Sequence, residues 1–62
     1  MRNNLRKILE EKGVSYRKLA DVVGIAQSSI YRYINGRVPQ LDIAIKISEY
    51  LGVKIEDIWP DF

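Results

Sequence analysis

The sequence predicts an all-α fold, a compact bundle of five short helices in a single domain that covers residues 1–62. Apolar residues recur at the i, i+3 and i+4 spacing that marks one face of a helix, and this pattern repeats along the chain. Glycine follows each of the first four helical segments, where a left-handed residue commonly ends a helix. No alternation of apolar and polar residues persists, so the sequence carries no β-strand signal.

The first two helices each have a short apolar stripe. The first helix ends at Lys12 and Gly13, with a cation in its last turn and glycine just beyond it. Ser15 is expected to cap the second helix, because a serine oxygen accepts a hydrogen bond from a backbone N–H that has no partner inside the helix. Gly24 ends the second helix. The stripes consist of Leu5, Ile8 and Leu9 in the first helix and of Leu19, Ala20 and Val23 in the second.

The other three helices follow the same logic. The third is predicted over residues 27–35, the fourth from residue 40 or 41 to residue 51, and a short fifth over residues 55–59, which Pro60 ends. Their predicted inner faces consist of Ile30, Tyr33 and Ile34 in the third helix and of Leu41, Ala44, Ile47, Ser48 and Leu51 in the fourth.

The composition argues against several classes of function. The 62 residues contain neither cysteine nor histidine, which removes the thiolate and imidazole groups that most metal sites and many active sites use. The longest apolar run is far shorter than the roughly 20 residues of a membrane-spanning helix. Charges at Arg6, Lys7 and Glu10 interrupt the segment where a signal peptide would be apolar. We therefore expect a cytoplasmic protein with no enzymatic activity, cofactor, metal, membrane association or small-molecule ligand.

The charge is unevenly distributed along the chain. Residues 1–37 carry eight basic and three acidic side chains, whereas residues 38–62 carry two basic and five acidic ones, so the net charges are +5 and −3. This imbalance indicates an amino-terminal part that faces a polyanion. An ordinary solvated surface with an accidental imbalance is an equally good explanation of the charge alone.

The second and third helices are joined by a minimal turn, Val23–Gly24–Ile25–Ala26. A turn of this length with glycine between two helices is typical of the helix-turn-helix. Gly24 suits the turn because glycine adopts a left-handed conformation without steric cost, and Ile25 is expected to pin the turn to the core. Small helical bundles also use such turns without binding DNA, so the turn alone does not decide the function.

The surrounding sequence resembles the lambda-repressor-like family, the Cro and phage-repressor type of helix-turn-helix. The resemblance runs from Leu5 to Trp59, segment by segment and in order. Residues 15–20 are similar to the Ser-Gln-x-x-Leu-Ala opening of the family's second helix, and residues 23–25 are similar to its Leu-Gly-Val turn. The other similar segments are residues 11–15, residues 28–36 ending in Asn-Gly, residues 39–41, Ile47 and residues 51–53.

Two positions depart from the family pattern. Tyr16 stands where the family frequently has a glutamine that touches a phosphate and braces the recognition helix. A tyrosine hydroxyl can still reach a phosphate, but the departure puts the brace in question. Ala26 stands where a serine or threonine often caps the third helix, and the loss of such a cap costs about 1 kcal/mol of helix stability.

The resemblance implies that the third helix lies in the major groove of double-stranded DNA and contacts bases from its first turns. Gln27 suits adenine and Arg32 suits guanine, because each makes a bidentate pair with that base. Ser28 suits either base or a phosphate, and Tyr31 suits a thymine methyl group or the DNA backbone. In the alternative, these four residues are polar positions that merely face solvent. The implied phosphate contacts are Tyr16, Arg17, Ser29, Asn35 and Arg37, with capping of the helix end as the alternative for Asn35.

Aromatic residues near the carboxyl terminus predict a subunit interface formed by Ile43, Tyr50, Trp59 and Phe62. The tail is too short to bury both Trp59 and Phe62 in the bundle, and clustered exposed aromatics mark contact surfaces. Because the family commonly binds palindromic sites as two-fold dimers, the resemblance implies a homodimer on a palindromic operator. In the alternative, Trp59 folds back onto the first helix as part of the core.

Taken together, the resemblance implies one helix-turn-helix domain that acts as a sequence-specific transcriptional regulator, a repressor of bacterial or phage origin. One alternative is an antitoxin-like or other protein-interaction module that also binds DNA, although 62 residues leave little room for a toxin-binding segment. The other is a purely structural helical domain, against which the turn and the basic amino-terminal half both argue.

Overall fold

Five helices are present in residues 3–62, the part of the chain that the computed structural model describes. They run over Leu5–Lys12 (α1), Tyr16–Val23 (α2), Gln27–Ile34 (α3), Leu41–Leu51 (α4) and Ile55–Ile58 (α5). This part contains no strand, so the predicted all-α class is confirmed. Not one of these helices has the length and apolar character needed to cross a membrane. Arg2, which contributes to the basic count, lies outside the described residues.

Local sequence signals set the boundaries of α2. Ser15 has extended backbone, and its Oγ accepts a hydrogen bond from the Lys18 N–H at 3.0 Å, so the predicted cap is confirmed. Gly24 ends the helix with a φ of 84°, a left-handed conformation that residues with a Cβ rarely adopt. The N–H groups of Gly24 and Ile25 both donate to the Ala20 carbonyl, at 2.8 and 3.1 Å. These bonds fix the sharp turn from α2 into α3.

The core is built from the apolar stripes of all five helices. In α1 and α2 the buried residues are those that the periodicity predicts, and in α4 Ala44, Ile47, Ser48 and Leu51 are buried. Packing of α4 against α1, α2 and α5 closes the bundle. The largest fully buried side chains are Trp59, Leu5, Leu9, Leu19, Ile30, Ile47 and Ile58.

Leu41 does not belong to this core, contrary to the prediction. Its side chain is 57% exposed, although it lies one turn before buried Ala44 on the same face of α4. Side chains of a helix point back toward its amino terminus. Because Leu41 is the first residue of α4, its side chain extends beyond the end of the packed bundle.

Trp59 is also placed differently from the predicted interface. Its side chain is 0% exposed and lies in the core cluster, whereas Phe62 is 45% exposed. The carboxyl-terminal segment is tied to the start of α1, because the Asn4 N–H donates to the Ile58 carbonyl at 2.8 Å and the Asn4 amide donates to the Asp57 carbonyl at 3.0 Å. Trp59 is therefore a core residue, as in the alternative interpretation, and offers no surface to a partner.

Candidate nucleic-acid interface

The packing of α2 against α3 sets the orientation of the candidate interface. Ile30 is fully buried against the core, and Ile25 in the turn is partly buried against it. Tyr33 and Ile34 are partly buried on the same side of α3, as the helical period requires. The opposite side of α3 therefore faces away from the bundle, and its rotation is fixed by a buried residue near its middle.

The four residues predicted to contact bases all lie on the outward side of α3. Gln27, Ser28 and Arg32 are exposed, and Tyr31 is 47% exposed. Gln27 and Ser28 occupy the first turn, and the other two follow about one turn later. The structure thus brings together side chains with hydrogen-bond donors, acceptors and an apolar ring on the outward side of one helix.

The residues predicted to contact phosphates flank this surface on both sides. Tyr16 and Arg17 begin α2, and Arg17 is exposed while Tyr16 is partly buried against the core. Asn35 and Arg37 are exposed beyond the end of α3. Ser29, within α3, is partly buried as Tyr16 is.

The end of α3 separates the two roles considered for Asn35. Asn35 itself has a φ of −83°, and the left-handed conformation is taken by Gly36, with a φ of 114°. The Arg37 N–H donates to the Arg32 carbonyl at 3.0 Å, which closes the helix end through the backbone. The Asn35 backbone N–H donates to the Tyr31 carbonyl at 3.0 Å, but the side-chain amide makes no hydrogen bond to any of residues 3–62. Backbone geometry and Gly36, rather than that side chain, therefore end the helix.

Three arginines give the surface its positive charge. Arg17, Arg32 and Arg37 are exposed, and none of them pairs with a carboxylate within the described part of the chain. Guanidinium groups without a neighbouring acidic partner keep their full attraction for phosphate and for the acceptor-rich edge of guanine.

One contact in the interface was missed by the sequence analysis. The rings of Tyr16 and Tyr31 meet edge to face, with centroids 5.1 Å apart and an interplanar angle of 81°. The Gln27 Nε2 donates to the Tyr31 hydroxyl oxygen at 3.4 Å. Tyr16 therefore contacts α3 in spite of the departure from glutamine. The Gln27 and Tyr31 pair was detectable from its i, i+4 spacing, but nothing in the sequence pattern joins Tyr16 to Tyr31.

Comparisons with known proteins agree with this geometry. The pattern of the family described as Helix-turn-helix matches residues 5–58, which include α2, the turn and α3, and the predicted resemblance to the lambda-repressor-like type is confirmed. A proposed HTH-type transcriptional regulatory protein of Methanocaldococcus jannaschii is 38% identical over 52 residues, which are 82% of this chain and 16% of that protein. An uncharacterized HTH-type transcriptional regulator of the same organism is 33% identical over 60 residues, 95% of this chain and 91% of that protein. The chain thus spans less than a fifth of the first relative and nearly all of the second.

Proposed function

The chain belongs to the helix-turn-helix family of DNA-binding transcriptional regulators, and from that premise we propose that it represses transcription by binding a specific double-stranded DNA site through α3. The observation that carries the proposal is the fixed rotation of α3. Buried Ile30 turns Gln27, Ser28 and Arg32 outward together, between arginines that lie at the start of α2 and beyond the end of α3. An exposed helix of this kind fits the width of the major groove.

Base contacts in this proposal come from the outward side of α3. Gln27 pairs with the N6 and N7 atoms of an adenine, and Arg32 pairs with the O6 and N7 atoms of a guanine. Ser28 contacts a neighbouring base or a phosphate, and Tyr31 contacts a thymine methyl group or the DNA backbone. Each bidentate pair discriminates against a wrong base by about 1–3 kcal/mol.

Phosphate contacts hold α3 in register on the DNA. Arg17 and Arg37 supply charge on the two sides of the groove, and Tyr16, Ser29 and Asn35 add uncharged hydrogen-bond donors. Such contacts carry no sequence information themselves, but they set the position from which the base-contacting residues act. Occupancy of a site in this way is sufficient to exclude another protein from the same DNA, which is the basis of the proposed repression.

We further propose that the protein binds a palindromic operator as a homodimer. Tyr50 and Phe62 are 39% and 45% exposed and supply aromatic surface on the acidic half of the chain, with partly buried Ile43 beside the core. Two copies related by a two-fold axis would present two copies of α3 to successive turns of the major groove, with half-sites about 10 base pairs apart.

Selection of bound sites from a random duplex library tests the proposal. We expect a palindromic consensus with half-sites about 10 base pairs apart. The matched control is Gln27→Ala with Arg32→Ala, both exposed positions whose replacement leaves the core intact. This variant should lose the consensus but keep weak, salt-sensitive binding to any duplex. Enrichment of no sequence by the unaltered protein would contradict the proposal, and a single unpaired half-site would contradict the dimer.

A further inference from the structure

We propose that Tyr16, Tyr31 and Gln27 act as one preorganised unit, the tyrosine–glutamine cluster, which selects an A·T base pair in the major groove. In this unit Gln27 contacts the adenine, Tyr31 contacts the thymine methyl group, and Tyr16 is a positioning residue that contacts no base. The inference rests on the proposed function, because it assigns a base preference to the same surface.

The contact between the two tyrosines joins the exposed ring of Tyr31 to the partly buried ring of Tyr16. Tyr16 is packed against the core, whereas Tyr31 is 47% exposed on α3. Their centroid separation of 5.1 Å and interplanar angle of 81° match the edge-to-face arrangement that aromatic pairs prefer. Tyr16 thus restricts the side-chain rotation of Tyr31. A tyrosine ring on a helix surface without such a neighbour would keep that rotation.

Tyr31 in turn engages the amide of Gln27, one turn before it on α3. The Gln27 Nε2 donates one of its two hydrogens to the Tyr31 hydroxyl oxygen, at a nitrogen–oxygen distance of 3.4 Å. The second hydrogen and the Oε1 atom remain for a ligand. A donor and an acceptor side by side on one amide are what the adenine edge requires, since adenine offers the N7 acceptor next to the N6 donor.

The exposed ring of Tyr31 supplies the second half of the preference. Among the groups that bases present in the major groove, the C5 methyl of thymine is the apolar one. An apolar ring held beside an amide that suits adenine therefore faces the thymine of the same pair. Because the side chains are already restricted before binding, less rotational freedom is lost on the DNA than with unrestrained side chains.

The test measures binding of the full chain to its selected site and to two analogues of that site. One analogue replaces thymine by deoxyuridine, which removes only the methyl group, and the other replaces adenine by 7-deazaadenine, which removes the N7 acceptor. At one A·T pair in each half-site we expect the affinity to fall about fourfold when the methyl group is removed and about fivefold or more when N7 is removed. Absence of any pair sensitive to both analogues would overturn the proposal.

Substitutions at Tyr16 then separate positioning from general packing. Tyr16→Leu should reduce the ratio of affinities for the thymine and deoxyuridine sites to near one, whereas Tyr16→Phe, which keeps the ring, should preserve it. In a Tyr31→Leu background, Tyr16→Leu should have no further effect on that ratio. The ratio does not depend on the fraction of folded protein, so partial destabilisation by the change at Tyr16 leaves the test valid.

Two results would contradict the role of Tyr16. Tyr16→Leu could weaken binding to all duplexes equally with an unchanged thymine-to-deoxyuridine ratio, in which case Tyr16 would act only as a phosphate contact or a packing residue and would not position Tyr31. Alternatively, the effects of changing Tyr16 and Tyr31 on the ratio could simply add. In either case specific binding by the unaltered protein would still support the proposed function. If the unaltered protein bound DNA with no sequence preference, both the proposed function and the role of Tyr16 would be refuted.

Discussion

Replacement of Trp59 by alanine should unfold the protein rather than yield a folded monomer. Trp59 is fully buried and is the largest of the fully buried side chains. An aromatic side chain buries roughly 150–250 Å², which at about 25 cal/mol per Å² amounts to about 4–6 kcal/mol. Measured losses for tryptophan-to-alanine changes in cores are about 3–5 kcal/mol. A single core in a domain of this size rarely supplies more than about 3–5 kcal/mol in total.

The indole nitrogen adds nothing to this loss. Trp59 Nε1 is buried and has no hydrogen-bond partner among residues 3–62, so the substitution removes no hydrogen bond. The loss comes from apolar area and from the cavity that remains. We therefore expect Trp59→Ala to be largely unfolded at 25 °C.

Phe62→Ala is the matched control, because Phe62 is an aromatic residue three positions later in the same tail. Its ring centroid lies 6.1 Å from that of Trp59, but the side chain is 45% exposed. Full burial of a phenylalanine side chain contributes about 1.5–3 kcal/mol, and only about half of Phe62 is buried, so the expected loss is about 1–2 kcal/mol. Circular dichroism at increasing urea concentration measures both variants. Fluorescence of Trp59, the single tryptophan, reports unfolding in the unaltered protein and in Phe62→Ala.

The opposite ranking would refute this reasoning. If Trp59→Ala unfolded cooperatively with a loss below about 1 kcal/mol, the side chain could not occupy the core. If the same variant were in addition monomeric by sedimentation while the unaltered protein was dimeric, Trp59 would act at a subunit interface after all.

Four further substitutions test the helix cap and the DNA contacts. Ser15→Ala should lower the free energy of unfolding by about 1 kcal/mol in thermal or urea unfolding, because the Lys18 N–H loses its partner; an unchanged midpoint would contradict the cap. Arg17→Ala and Arg37→Ala should each weaken binding to all duplexes alike and reduce the slope of log K against log salt by about one. An unchanged slope in both would show that neither touches phosphate. Arg32→Lys should keep non-specific binding but lose about 1–3 kcal/mol of discrimination at one base pair per half-site, measured by competition with singly substituted operators; equal weakening on every operator would make Arg32 a phosphate contact.

The local sequence determined the helices, their ends and the orientation of α3. Helical periodicity and capping act within a few residues, so Ser15 as a cap, Gly24 as a left-handed stop and Ile30 as the buried residue of α3 could all be assigned from their neighbours. Exposure of the base-contacting candidates followed from Ile30, because burial of one side of a helix fixes which side faces outward.

Tertiary structure decided the points that depend on what lies opposite a side chain. Periodicity placed Leu41 on the inner face of α4, but α4 begins at this residue and the side chain is exposed. Composition could not separate Trp59 from Phe62, and the hydrogen bonds of Asn4 to the tail put one aromatic residue in the core and left the other largely outside it.

The pair of Tyr16 and Tyr31 shows the same limit within the candidate interface. From the sequence, Tyr16 indicated the loss of the glutamine that braces the recognition helix in the family. A sequence pattern shows which residue has been replaced, but not which neighbour the replacing residue contacts. The packing of α2 against α3 brings the two rings together at 5.1 Å, and the buried Leu19 and Val23 of α2 share one core cluster with Ile30 of α3. Contacts between helices follow from how their buried faces fit together, and for this reason the cluster became visible only in the folded chain.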